Sequence, residues 1–215
     1  MRQNETNLEW IDAFDIAAVY HFKMARSKGF DPEVALQTAV KVFWHLGYER
    51  TSMDLLIREM GISKQSLYDT FGDKRSIYFQ AMQLYRKSTN DSLRQLFARE
   101  KPVRDGFLKI FASMIAESRE QHEQGCLLMS ANLSRDLNDA QMTRFLRANQ
   151  REVEMIFTAA LTKAQERGEI APVTSPAALA KFFVATIQGM RGLARLNHDR
   201  KELEHISKVA IASLD

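Results

Sequence analysis

Between Gly61 and Phe71 the chain reads GISKQSLYDTF, a glycine turn followed by a short, mostly polar segment of helical spacing. Its side chains suit the edges of base pairs. Lys64 can donate to guanine acceptors, Gln65 can pair bidentately with adenine, and Ser66 can serve either role in the major groove. Leu67 and Phe71 are four residues apart and Ile62 lies in the turn before them, so all three can anchor one side of a helix inward. Lys64, Gln65, Ser66 and Tyr68 are then left on the outward and leading sides, with Ser63 placed to cap the first turn. The same turn between two short amphipathic helices also occurs in plain helical packing, so its neighbours must decide between the two readings.

Those neighbours offer groups suited to phosphate. Thr51 and Ser52 precede a helical run, where free backbone N–H groups and the helix dipole favour an anion. Lys74 and Arg75 stand at the start of the following helix. Residues 24–90 carry ten basic against seven acidic side chains, and several of the basic ones lie close to this motif. TSMDLLIREM, GI and SKQSLYDTF thus supply the crossing helix, sharp turn and reading helix of a helix-turn-helix.

The elements that must position these groups are helices. Nine Gly and four Pro in 215 residues are few, and helix formers recur throughout, which predicts an all-α chain. Asp31-Pro32 opens a helix that stops near Gly47, Thr51 or Ser52 opens a second, Ser63 a third and Gly72-Asp73 a long fourth. Beyond residue 90 the apolar stripes lengthen: one follows Pro102, a shorter one runs from Leu127 to Leu137, and one spans Asp139 to Arg167 up to Gly168. After the loop IAPVTSP, a helix runs from Ser175-Pro176 to about Asn197, and a last one covers roughly Lys201 to Leu214. A net charge of +3 argues only weakly for a polyanionic partner. One cysteine excludes an internal disulfide framework, and no leader or membrane span is apparent, so a cytoplasmic protein is expected. Residues 1–23 are acidic with apolar positions at roughly helical spacing, and the character changes at Met24. Met24 is therefore the expected start or an alternative one, and 1–28 an extension dispensable for function.

The stretch ALQTAVKVFWHLGYERTSMDLLIREMGISKQSLYDTFGDKRSIYFQAM resembles the DNA-binding domain of TetR-family transcriptional regulators, without an internal gap from about Gly29 to Arg86. The resemblance implies a three-helix DNA-binding domain over 29–89, with its helix-turn-helix at about 52–71, and a helical effector-binding and dimerisation domain over 90–215. It places Thr51, Ser52, Tyr68 and Lys74 at the DNA backbone, Lys64, Gln65 and Ser66 where the family reads bases, and Leu67 and Phe71 in the core. Arg58-Glu59-Met60 and Asp73 depart mildly from the family pattern. QGCLLMSANLSRD and GEIAPVTSPAALAKFFVATIQGMRGLAR are similar to segments of AcrR-like members. The last two helices are then expected to pair with a second subunit as a four-helix bundle. Leu179, Phe182, Phe183, Ile187, Met190, Leu193 and Leu196 agree, covering too wide an arc for one intrachain contact. Of these, Leu179, Phe182, Ile187, Met190, Leu193 and Leu196 are the expected dimer contacts, and a twofold dimer would match a palindromic operator in double-stranded DNA. The expected function is that of a ligand-responsive repressor.

Phe107, Phe111, Met114, Cys126, Met129, Phe145 and Phe183, with Phe182, are candidates to line a pocket for a small-molecule effector, and each serves equally well as core. Cys126 follows Gly125, where a helix N-terminus could lower its thiol pKa, so a redox trigger stands beside the reading of a small buried thiol. His122 and Cys126 have zinc-compatible spacing, but no second pair completes a site, and no metal or other cofactor is implied. His198 and His205 read as members of a solvated helix face. Phosphate-binding loops, nucleophile elbows and zinc-protease motifs are absent, so no enzyme is expected. A helical adaptor using the same surfaces for protein partners is the alternative, and it would tolerate loss of Lys64, Gln65 and Tyr68.

Overall fold

Asp31 starts the first helix as the sequence predicts: its carboxylate accepts from the backbone N–H of Glu33 at 2.8 Å and of Val34 at 3.4 Å, with Pro32 in the first turn. The structure, a computed structural model, describes residues 29–133 and 140–215. The expectations for residues 1–28, for the helix beyond Leu133 and for a start at Asp139 lie outside the described residues. Within them every regular element is a helix, in two units that divide after Ser92.

In the first unit α1 (Pro32–Arg50), α2 (Met53–Met60), α3 (Lys64–Phe71) and most of α4 (Lys74–Arg99) follow one another closely. Gly47, at φ 74° and ψ 175°, breaks the α1 geometry, so the last residues form a separate turn. Gly61 ends α2 in the left-handed region at φ 67°, a conformation that costs a glycine little and other residues more. Asp73 caps α4 by accepting from Ser76 N–H at 2.8 Å. Val40, Phe43, Leu56, Leu67, Ile77 and Met82 are fully buried in this unit.

The second unit, from Leu93, holds the end of α4, then α5 (Val103–Ala116), α6 (Arg119–Gln124), α7 (Leu127–Leu133), α8 (Ala140–Glu166), α9 (Pro176–Asn197) and α10 (Arg200–Ala212). α6 leaves no apolar stripe in the sequence. Its six residues are too few to show one, but Ser118 and Gln121 close a capping box that supports it. The core joins α5, α8, α9 and α10 through Phe107, Phe111, Phe157, Leu161, Phe183 and Leu203. The loop between α8 and α9 is fastened by Gln165, which donates to the carbonyls of Ala171 and Thr174 at 2.9 and 2.8 Å. The Glu169 carboxylate ties it to α5 by accepting from Val103 N–H at 2.7 Å, while also accepting from Arg167 Nε at 2.6 Å. Its Arg167 partner chiefly, then the Val103 N–H, hold the Glu169 carboxyl below the usual carboxylate range. No helix among the described residues is long and apolar enough to cross a membrane.

Candidate nucleic-acid interface

The orientation of α3 follows from two anchors. Leu67 and Phe71 are buried, as is Ile62 in the turn; each fully buried large apolar side chain contributes roughly 2 kcal/mol, against about 1 kcal/mol for a helix cap. Packing therefore sets which way α3 faces, and the cap only trims its start. Ser63 accepts from Ser66 N–H at 3.1 Å and donates to Ser66 Oγ at 2.9 Å, so its hydroxyl is committed to that cap. Lys64 and Gln65 are exposed at the leading turn, Ser66 is half-buried, and Tyr68 is exposed on the same helix. Ser52, exposed, caps α2 by accepting from Leu55 N–H at 3.1 Å.

Thr51 differs from the expectation. It is buried, and its hydroxyl donates to the Gly47 carbonyl at 2.7 Å while its N–H donates to Tyr48 O at 3.2 Å. The hydroxyl bonds the carbonyl four residues back, as Thr38, Thr89 and Thr158 do within their own helices. Thr51 thus stabilises the turn before α2, and Ser52 alone of the pair faces outward. Lys74, half-exposed, donates to Glu49 O at 3.4 Å and lies 4.2 Å from the centroid of the Tyr48 ring. Spacing alone does not reveal this contact, because it depends on the kink at Gly47. Burial, with the Glu49 and Asp73 carboxylates near it, raises the Tyr48 phenol above the ordinary tyrosine range.

In the second unit Phe107, Phe111, Met114 and Phe183 come together within the main core, with Phe107 and Phe183 stacked at 3.8 Å between centroids. Met129 and Cys126 are half-buried and Phe145 is buried. Cys126 is therefore not the fully buried thiol of the plainer reading. Of the expected dimer contacts, Leu179 and Met190 are buried in the core of their own subunit, and Ile187 and Leu193 pack half-buried against it. Phe182 and Leu196 are 41% and 79% exposed. Leu179, Ile187 and Met190 turn toward the core and Phe182 and Leu196 away from it, with Leu193 at the border, so the wide apolar arc holds a used face and an exposed one. The exposed one continues through Ala178, Ala185, Gly189 and Gly192 at alternating steps of three and four. His205 is exposed, whereas His198 ends α9 in the left-handed conformation and stacks parallel to the buried His122, ring centroids 5.8 Å apart. His198 is thus drawn off the solvated face because the helix stops there. Among the described residues no group of three or more His, Cys, Asp or Glu is placed to hold a metal ion.

Two family models match: bacterial regulatory proteins of the tetR family over residues 35–81, and the tetracyclin repressor-like C-terminal domain over 106–210. The transcriptional repressor ComR of Escherichia coli is 31% identical over 193 residues, which cover 88% of this chain and 90% of that protein. The chain belongs to the TetR family of transcriptional regulators. An uncharacterised helix-turn-helix-type transcriptional regulator of Bacillus subtilis, YezE, is 27% identical over 89% of this chain and all of its own length. Among solved structures, a cysteine mutant of the TetR-family regulator CifR in complex with a 26-base-pair operator is 26% identical, with a TM-score of 0.74 over 89% of this chain and all of that one. The TetR-family chain described here is accordingly a DNA-binding transcriptional regulator built as an N-terminal helix-turn-helix domain and a C-terminal helical domain.

Proposed function

We propose that the protein is a cytoplasmic repressor that binds a palindromic operator as a homodimer and releases it when a small molecule fills the C-terminal domain. The observation that carries the reading is the division of α3: Leu67 and Phe71 are buried while Lys64, Gln65 and Tyr68 are left exposed. That arrangement presents donors and acceptors to base edges from a helix fixed by its own packing. Ser52 at the start of α2 and Lys74 at the start of α4 supply phosphate contacts on either side. Repression is the role named for ComR, and operator DNA is what CifR binds. The exposed apolar stripe of α9, with Val209 exposed on α10, offers the surface for a second copy, its glycines allowing close approach of two helices.

Effector and operator act on one equilibrium. The effector must bind the DNA-incompetent state more tightly, and operator DNA must weaken effector binding by the same factor. Genome-wide mapping of DNA bound by the protein tests the reading. Recovered fragments are expected to share a sequence of twofold symmetry with half-sites about one helical turn, or a multiple of it, apart. Fragments with no common symmetric sequence would overturn it.

A further inference from the structure

Lys74 is held by contacts within the protein itself. Its ammonium sits over the Tyr48 ring, 4.2 Å from the centroid, and donates to the Glu49 carbonyl at 3.4 Å. The ring is itself fixed: it stacks near Phe43 at 6.4 Å and meets Tyr78 at 5.0 Å between centroids, and Phe43 and Tyr78 are buried. Tyr78 lies one turn after Lys74 on α4, so ring and ammonium share a support. What brings Tyr48 there is the break at Gly47, locked by the Thr51 hydroxyl on the Gly47 carbonyl at 2.7 Å and by Thr51 N–H on Tyr48 O at 3.2 Å.

We propose that Tyr48 is a positioning residue for operator binding: its ring holds the Lys74 ammonium at the start of α4, aimed at a DNA phosphate. The inference rests on the DNA-facing reading of α2, α3 and the start of α4. A free lysine has rotamer freedom that binding must remove, and an ammonium already seated on an aromatic face loses less. One donor of the ammonium goes to Glu49 O and the ring takes up a second direction, leaving the remaining one for a phosphate oxygen. The ring face, rather than the phenol oxygen, does the holding, which separates this role from a hydroxyl-to-phosphate contact.

The test is a mutant cycle on the operator recovered by mapping, read as dissociation constant, salt slope and melting temperature. Tyr48→Phe is expected to bind within about twofold of the wild type. Tyr48→Leu is expected to weaken operator binding several-fold in the wild-type background, and by less than about twofold when Lys74→Ala is already present. Equal losses in both backgrounds, or a Tyr48→Phe loss as large as that of Tyr48→Leu, would overturn the inference. If Tyr48→Leu does not fold, NMR of the DNA-free wild type decides: the Lys74 side-chain protons nearest the ammonium are expected upfield from ring current, and ordinary shifts would overturn the inference. A wild type that binds no specific DNA would instead overturn the proposed function, with the ring-current result still standing on its own.

Discussion

In the proposed reading Lys74 and Gln65 are two kinds of DNA contact. A lysine that meets a phosphate displaces counterions and contributes to every sequence alike, whereas a base-edge contact contributes only where its base is present. Lys74→Ala is expected to weaken binding to all DNA and to reduce the slope of log affinity against log salt by about one unit for each subunit bound; an unchanged slope in a titration from low to physiological salt would remove Lys74 from the phosphate surface. Much at this scale is legible in the sequence, because Leu67, Phe71, Ser63 and Gly61 fix one another by short-range spacing. Thr51 is not, since a threonine at a helix start reads as an exposed cap and its burial follows from packing that leaves no mark on hydrophobic periodicity. The Tyr48–Lys74 contact bridges 26 positions and is hidden for the same reason.

Helices are where the sequence speaks most plainly, and its silences have physical causes. Caps at Asp31, Ser52, Ser63 and Ser175 accept from the backbone as their residue types predict. The two faces of α9 cannot be told apart by hydrophobicity, because a stripe that meets its own core and one that awaits another surface have the same composition. Between elements, the tie from the α8–α9 loop to α5 runs through Glu169, whose folded carboxyl is held below the ordinary range by Arg167 and Val103 N–H. A depressed carboxyl stabilises the fold above its ordinary titration range, near pH 4.3, and loses that contribution as pH falls through its lowered folded value. Glu169→Gln is therefore expected to cost on the order of 1 kcal/mol at pH 7, and the gap between the two melting curves should close as pH drops below about 4. A gap independent of pH would show that the charge contributes nothing.

For the whole molecule, the proposed repression needs two copies of α3 at a spacing DNA accepts, and its release needs an effector that lowers the population with that spacing. α4 runs unbroken from Lys74 through the division after Ser92 to Arg99, a covalent connection through which the proposed coupling can act. The exposed α9 stripe would supply the second copy, so each base-edge contact would be made twice on a symmetric operator. The central claim is that α3 reads those bases. Its most direct measurement compares wild type and Gln65→Ala on a panel of operators carrying every single base-pair change in one or both half-sites. The expected result is a loss of about 1 to 3 kcal/mol per intact half-site, with discrimination relaxed at one or two positions and retained elsewhere. A Gln65→Ala protein with the wild-type stability, affinity and discrimination at every position would contradict the account.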